Sequence, residues 1–359
     1  MKTGVLLINL GTPDSPSTKD VRKYLTEFLN DPRVIDISPV GRFFLVNFII
    51  VPFRSSKSAK LYRQIWTKEG SPLKIYGYAL KNALQESLGS SFQVELGMRY
   101  QNPSIESALE KLRKGGMEKI ILLPLYPQYA SSSTGSSIEK AMGVIRKWKN
   151  PPEIRVIDKF YSDPGFIEAW TTLSKKYLSP LRIREVAPLR VERADPDLSG
   201  RGEAYDHYLF SYHGLPERHI RKGDANYSGA GCDFGKCCER ITEKNQYCYR
   251  AACYETTRQL VKKLNIPEGK YTTSFQSRLD DKWIKPYSDK VIIELAKKGA
   301  KKILCFSPAF VADCLETIHE IGTEYNELFR ENGGEKITLV ESLNVSPEWV
   351  EALKRMVIC

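Results

Sequence analysis

Two segments from the first part of the chain recur, in the same order, in the second part. The stretch LLINLGTP (6–13) matches LFSYHGLP (209–216) in its apolar run and its Gly-x-Pro ending, and GMEKIILLPLYP (116–127) matches GAKKILCFSPAF (299–310). Short apolar runs alternate with amphipathic helical stretches, which is typical of parallel sheets covered on both faces. The repeat therefore predicts an α/β fold of two similar doubly wound, Rossmann-like halves that face each other across a central cleft.

The repeat also places an ionisable side chain at the cleft. Ligands of such sheets bind beyond the carboxyl ends of the strands. His213 ends the first strand of the second half, and its counterpart in the first half is Leu10. We therefore expect one half to bring a base to the cleft and the other half an apolar surface.

The predicted division of the chain follows from the repeat. We expect a first α/β half over residues 1–178, a second over 207–345 and a C-terminal helix over 346–359. Residues 179–206 are rich in Arg, Pro and Asp and lack a sustained helical or strand period, so they read as an insertion or a long linker.

Composition and motifs disfavour several classes of function. Neither half carries the G-x-G-x-x-G fingerprint after its first strand, which argues against a nucleotide cofactor. The net charge of +11 is spread along the chain in short pairs, whereas nucleic-acid binders concentrate it in a stripe, so no nucleic-acid partner is expected. The start MKTGVLLINLGTP is too short in apolar residues for a signal peptide, and we expect a cytoplasmic protein.

A second candidate site follows the repeated strand of the second half. The stretch FSPAFVADCLETIHEIG (306–322) runs from a strand end into a helix that carries Asp313, Glu316 and His319. Acids in a first helical turn commonly only complement the helix dipole. Because this helix also begins at the cleft, its carboxylates together with His213 suit proton transfer or transient binding of a divalent cation.

The stretch 41–54, GRFFLVNFIIVPFR, places an apolar run between Arg42 and Arg54. A buried core helix is one interpretation. The other is an apolar lip that covers a substrate or rests on a membrane, with the two arginines meeting anionic groups.

The whole chain resembles the ferrochelatases, which insert ferrous iron into a porphyrin. The matching motifs include LLINLGTP, IIVPFR with AKLYRQIW, MRYQNPS, LPLYPQYASSSTGS, FSYHGLPERH, FQSR with WIKPY, and FSPAFVADCLETIHEIG. The resemblance implies metal and proton chemistry at His213 and Glu316. It also implies a porphyrin pocket, whose positions fall on Leu10, Tyr62, Arg99, Tyr100, Trp283, Phe310 and Asp313.

The expected reaction is insertion of Fe2+ into protoporphyrin IX, with loss of two pyrrole protons. The start NLGTPDSP and the lip sequence IIVPFR look more like the branch of the family that uses protoporphyrin. Coproporphyrin as substrate and a non-catalytic tetrapyrrole or metal carrier are the alternatives, and an Fe–S or zinc-ribbon nucleic-acid binder is a third class. Peripheral contact with a membrane through the lip is a further expectation.

Five of the eight cysteines fall between residues 232 and 253. Structural disulfides are unusual in a reducing compartment, so a local group of cysteines indicates metal. The spacing C-x4-C-C-x9-C-x4-C lacks the paired C-x2-C knuckles of zinc ribbons, whereas four thiolates in an irregular loop can hold a 2Fe–2S cluster. The segment resembles the internal cysteine segment of some bacterial ferrochelatases. The predicted ligands are Cys232, Cys238, Cys248 and Cys253, with Cys237 as a substitute for its neighbour.

Overall fold

The computed structural model of the chain describes residues 2–178, 205–224, 232 and 234–359. Within these residues, eight strands form two separate sheets of four strands each. All paired strands in both sheets run parallel. Most of the predicted linker 179–206 and part of the cysteine segment lie outside the described residues.

The first sheet has the strand order β2-β1-β3-β4. Its strands are β1 (Thr3–Gly11), β2 (Phe92–Tyr100), β3 (Lys119–Pro124) and β4 (Glu153–Val156). The helices of this half are α1 (Thr18–Leu29), α2 (Pro39–Phe44), α3 (Val51–Ile65), α4 (Pro72–Leu88), α5 (Ile105–Lys114), α6 (Ser136–Ile145) and α7 (Pro164–Leu178). Two π-helical turns, Leu45–Ile50 and Ser131–Gly135, precede α3 and α6.

The second sheet has the order β6-β5-β7-β8, which is the order of the first sheet. Its strands are β5 (His207–His213), β6 (Tyr271–Gln276), β7 (Lys302–Phe306) and β8 (Lys336–Leu339). The helices are α8 (Glu217–Asp224), α9 (Tyr249–Leu264), α10 (Ser288–Lys297), α11 (Asn326–Glu331) and α12 (Pro347–Ile358), with a 3-10 turn at Lys236–Cys238 and a π-helix at Glu316–Tyr325. The predicted pair of doubly wound halves is confirmed.

The glycine of the repeat is required in both halves by the same close approach of two backbones. A Cβ on Gly11, which follows the apolar run of β1, would lie 2.0 Å from the carbonyl oxygen of Tyr100. A Cβ on Gly214, directly after β5, would lie 2.8 Å from the carbonyl oxygen of Gln276. In each half the central strand therefore ends against the neighbouring strand's backbone, and only glycine fits that approach.

The helices follow from local sequence signals. Ser17 and Ser104 cap α1 and α5, since each side chain accepts a hydrogen bond from a backbone N–H in the first turn. Helix α5 then buries Ile105, Ala108 and Leu112 on one face, at the spacing that an amphipathic helix requires. These helices cover the sheets, whose central strands are buried along their length.

One continuous apolar cluster joins the two halves. It contains Val5 of β1, Phe210 of β5 and Trp349 of α12. Helix α12 follows the second half in sequence but packs against α7 and α4 of the first half. Its Trp349 ring centroid lies 5.6 Å from that of Phe160 and 5.9 Å from that of Phe166. The C-terminal helix therefore ties the halves together.

We expect Trp349→Ala to lower the free energy of unfolding by about 3–5 kcal/mol, because it leaves a large cavity beneath α12. Ile358→Ala on the exposed side of the same helix is the control, with an expected change within about 0.5 kcal/mol. Urea unfolding of both variants measures the difference. Equal losses in the two variants would show that α12 does not belong to the core.

Candidate functional site

A cavity of about 490 Å³ lies between the two halves, at the carboxyl ends of the strands. Its wall contains Leu10 and Gly11 of β1, Leu125 after β3, His213 of β5 and Phe310 after β7. Both sheets therefore open onto the same space, as expected for doubly wound sheets. The volume lies within the range of small-molecule and cofactor sites.

The structure brings seven of the predicted residues to this cavity. They are His213, Glu316, Leu10, Tyr62, Trp283, Phe310 and Arg54. His213 and Leu10, the counterparts in the repeat, both belong to the wall. Aromatic and aliphatic side chains make up most of the remaining surface, which suits a large, flat and largely apolar ligand.

The orientation of the His213 ring is set by its own backbone. Its Nδ1 atom lies 2.6 Å from the carbonyl oxygen of Gly214. Because a carbonyl can only accept, this hydrogen bond requires the proton on Nδ1 and leaves the Nε2 lone pair free. The centroids of the Trp283 and Phe310 rings each lie 6.3 Å from that of His213. His213 can therefore present a basic nitrogen beside aromatic walls.

The π-helix Glu316–Tyr325 lines the cavity with carboxylates and reaches the strand next to His213, since Glu320 binds Gln276 and Ser277. A π-helix closes each backbone hydrogen bond over five residues and is frequent at functional sites. It places Glu316, Glu320 and Glu324 in the wall. The sequence predicts that one helix carries Asp313, Glu316 and His319, which is wrong for Asp313 because this residue precedes the helix.

Glu320 is the best-anchored of these carboxylates. It accepts hydrogen bonds from the backbone N–H of Ser277 at 2.8 Å, from Gln276 Nε2 at 3.1 Å and from the Tyr325 hydroxyl at 3.0 Å. Burial nevertheless raises the pKa of Glu320 above its usual value, with the Glu316 charge acting in the same direction. A carboxyl group of this kind can take up and release protons.

His319, which the sequence predicts only to lie on this helix, also lines the cavity. Neither ring nitrogen has a hydrogen-bond partner within the described part of the chain, although the residue is 7% exposed. Its Nε2 atom lies 3.8 Å from a carboxylate oxygen of Glu324.

Arg99 and Tyr100, predicted as pocket residues, lie behind the cavity and do not line it. Both bind the buried Asp31 carboxylate, Arg99 through Nη2 at 2.5 Å and Tyr100 through its hydroxyl at 2.9 Å. Burial acts to raise the pKa of Asp31, but the hydrogen bonds from Ser136 and the Arg33 N–H and the Arg99 charge outweigh it and lower the pKa. Arg99 neutralises this carboxylate.

Asp313 and Arg42 also lie outside the cavity wall. Asp313 accepts hydrogen bonds from Asn344 Nδ2 at 2.9 Å and from the Thr317 hydroxyl at 3.1 Å, so its carboxylate braces the turn before the π-helix. Arg42 donates to the backbone carbonyls of Ile35 and Ile37 at 3.3 and 3.2 Å. Sequence motifs alone cannot distinguish such supporting residues from the residues that they support.

The stretch 41–54 forms the end of α2, a π-helical turn and the start of α3. Five of its apolar residues are more than half exposed: Phe43, Phe44, Phe48, Ile49 and Phe53. Val46 and Val51 are buried on the other side. The interpretation as a fully buried core helix is therefore wrong. Arg54 lines the cavity beside this exposed surface.

No helix in the described residues has the length and apolar character needed to cross a bilayer.

An ion-pair group joins the halves at the cavity rim. Asp36 of the first half meets Arg218 at 2.7 Å, Lys222 at 2.6 Å and the cavity-lining His219 at 3.2 Å. Burial alone would raise the pKa of Asp36, but the contacts with Lys222, Arg218 and His219 hold it well below its usual range. Tyr24, His219, Tyr249 and Glu324 also line the cavity and are not predicted from the sequence, although His219 ends the motif FSYHGLPERH.

In the cysteine segment, Cys237 lies close to two of the predicted ligands, whereas Cys253 lies inside a helix. The Sγ atom of Cys237 lies 3.8 Å from that of Cys232 and 3.9 Å from that of Cys238. A hydrogen bond from Cys238 and backbone N–H groups at the start of α9 lower the pKa of Cys248. Cys253, chosen as a ligand, is fully buried within α9, where its thiol interacts with Tyr249. No group of three or more His, Cys, Asp or Glu side chains that could hold a metal ion is found in the residues described.

Comparisons with known proteins agree with this architecture. The family model for ferrochelatase matches residues 2–358. A ferrochelatase of Coxiella burnetii (strain Dugway 5J108-111) is 45% identical over 99% of this chain and 93% of its own length. A ferrochelatase of Legionella pneumophila (strain Paris) is 42% identical over 99% of both.

Solved structures show the fold at much lower identity. The sirohydrochlorin chelatase SirB of Bacillus subtilis subspecies spizizenii, in complex with cobalt, matches 100% of this chain and 94% of its own with a TM-score of 0.53 and 11% identity. SirB from Bacillus subtilis with Fe3+ matches 100% and 95% with a TM-score of 0.50 and 13% identity. These likenesses establish the two-half architecture alone.

Proposed function

The chain belongs to the ferrochelatase family, and we propose that it inserts Fe2+ into protoporphyrin IX to make protohaem, with release of two protons. Membership of the family makes it a metal chelatase that acts on a tetrapyrrole. The observation that carries the finer proposal is His213, whose free Nε2 belongs to a cavity walled by aromatic and aliphatic side chains.

In the proposed reaction, the two pyrrole N–H protons leave as Fe2+ binds the four ring nitrogens. The neutral His213 Nε2 accepts the two protons one after the other, and the carboxylates of Glu316, Glu320 and Glu324 pass each proton to solvent. An imidazolium ion would repel the metal, so His213 has to pass on its proton and be neutral again when Fe2+ approaches. Leu10, Trp283 and Phe310 hold the macrocycle in the bent form that exposes its nitrogen lone pairs.

The charges of the cavity support protoporphyrin over coproporphyrin. Among the described residues, Arg54 is the single Arg or Lys side chain in the cavity wall. Protoporphyrin carries two propionates and coproporphyrin four. Each additional carboxylate would lie against apolar surface without a cation, which is costly.

We expect the purified protein to convert Fe2+ and protoporphyrin to haem under anaerobic conditions. Its kcat/KM for protoporphyrin should exceed that for coproporphyrin by about tenfold or more, because of the uncompensated carboxylates.

His213→Ala should lower kcat by about 10²–10⁴-fold, as expected for loss of a general base. Glu316→Gln should reduce kcat severely, with a weaker effect on porphyrin affinity.

Haem absorption and porphyrin fluorescence measure these rates. Faster turnover of coproporphyrin would assign the protein to the alternative substrate, and tight porphyrin binding without turnover would indicate a carrier. Normal turnover in His213→Ala would remove His213 from the reaction.

The exposed apolar surface formed by Phe43, Phe44, Phe48, Ile49 and Phe53 is the proposed lip. Contiguous exposed apolar side chains commonly mark an interaction surface, and arginines beside them can meet anionic headgroups. We propose that this protein is cytoplasmic and rests peripherally on a membrane through the lip. The lip lies next to the cavity, so that an apolar porphyrin can pass from the membrane into the cavity.

Arg54 and Arg42 lie at the two ends of the lip and form a matched pair. We expect Arg54→Ala to raise the KM for porphyrin by about tenfold or more, since a charge-assisted hydrogen bond to a propionate is lost. Arg42→Ala should leave this KM unchanged because its guanidinium binds the chain's own carbonyls. The KM for Fe2+ should stay constant in both variants, and equal effects on porphyrin would contradict a specific role for Arg54.

We further propose that the cysteine segment binds a 2Fe–2S cluster through Cys232, Cys237, Cys238 and Cys248. Spacing supports a cluster, and the short Sγ distances favour Cys237 over the predicted Cys253. A bound cluster would contribute folding free energy to a loop that has little core of its own.

Protein purified without oxygen should contain iron and inorganic sulfide and show the visible and EPR spectra of such a cluster. Cys237→Ser should lose these signals, because a hydroxyl is a poor iron ligand. Cys253→Ser is the control and should retain them. Zinc, or no metal at all, in the wild-type protein would contradict the cluster and leave the chelatase reaction unaffected.

A further inference from the structure

Tyr249 connects the cysteine segment directly to His213. It follows Cys248 in sequence and begins α9. The side chain is buried, forms part of the cavity wall, and donates a hydrogen bond from its hydroxyl to the backbone carbonyl of His213 at 2.8 Å. None of the reaction steps above uses this tyrosine.

The bond fixes the peptide group that carries the His213 ring. The carbonyl of His213 and the N–H of Gly214 belong to one peptide plane. Tyr249 binds the carbonyl end, and the N–H donates to the Gln276 carbonyl at 2.8 Å. The next carbonyl, that of Gly214, accepts the Nδ1 proton of the ring. Because glycine constrains its own dihedrals little, the plane depends on these two anchors.

Helix α9 is itself held against the first half, so the anchor is rigid. Thr256 donates to the Tyr161 carbonyl at 2.9 Å, and Gln128 Nε2 donates to Thr256 at 3.1 Å. Tyr247, just before α9, packs edge-on against Tyr129, with ring centroids 5.3 Å apart.

We propose that Tyr249 is a positioning residue for His213: it holds the His213–Gly214 peptide in the orientation that keeps the ring proton on Nδ1 and the Nε2 lone pair in the cavity. The inference rests on the proposed role of His213 as the base. The start of α9, directly after Cys248, would therefore help to orient this base.

Tyr249→Phe removes the hydroxyl and keeps the ring. We expect kcat to fall about tenfold, because a misoriented base loses reactive geometry, and the porphyrin KM to stay within about twofold. The chain has four histidines, so ring 15N NMR of histidine-labelled protein is tractable, with His213→Ala to assign the signal. Wild-type His213 should show the Nδ1–H tautomer, and the variant a mixture of tautomers.

Tyr212→Phe is the matched control. The Tyr212 hydroxyl lies 2.9 Å from that of Thr257, so this variant also loses a buried contact between β5 and α9, but Tyr212 does not line the cavity. We expect kcat and the His213 signal to remain those of the wild type, although unfolding measurements should show destabilisation in both variants.

Unchanged His213 nitrogen signals and unchanged kcat in Tyr249→Phe would overturn the proposal, as would equal effects in Tyr212→Phe. The NMR readout needs no turnover, so it tests the positioning role separately from the reaction. If His213→Ala remained active while Tyr249→Phe shifted the His213 tautomer, the base assignment would fail and the positioning contact would stand.

Discussion

The continuous apolar core between the two sheets is the constraint on which the cavity depends. Each half alone would present one apolar sheet face and one set of strand ends. The shared cluster around Val5, Phe210 and Trp349 fixes the halves so that the carboxyl ends of β1 and β5 open onto the same space. Close packing transmits small displacements over the whole core. The relative position of Leu10 and His213 is therefore set by buried residues that do not line the cavity.

Around this frame, the polar groups fall into two kinds. Asp31 and Asp313 are acids whose oxygens are occupied by neighbours of the chain, and they hold the surrounding backbone in place. His213 has a ring nitrogen that its own backbone leaves free, and Glu316 belongs to the cavity wall. Buried polar groups need partners, so a group left free in a cavity is a better indicator of chemistry than the charge of its residue type.

The long strands and the repeat could be predicted from sequence because buried parallel strands are continuous apolar runs. The short strands Glu153–Val156, Tyr271–Gln276 and Lys336–Leu339 have no such signal, and only their pairing with a central strand defines them. The site was predicted in the same uneven way. Position in the repeat indicated His213, whereas Arg99 and Asp313 matched family motifs but support the wall from outside. Cys253 could not be placed because α9 already begins at Tyr249, so this cysteine lies inside a helix and not in the loop.

The two halves share one topology and differ in what they bring to the cavity. The first half contributes Leu10, Tyr62 and Arg54, and the second contributes His213 and the π-helical carboxylates. Four of the five cysteines of the segment lie in the connection between α8 and α9, and Cys253 lies within α9. Such a connection can be lengthened without disturbing either sheet. It leads into Tyr249, whose hydroxyl binds the backbone carbonyl of His213. A change in the segment that moved the start of α9 would therefore reach His213 through a single hydrogen bond, while the sheets stayed in place.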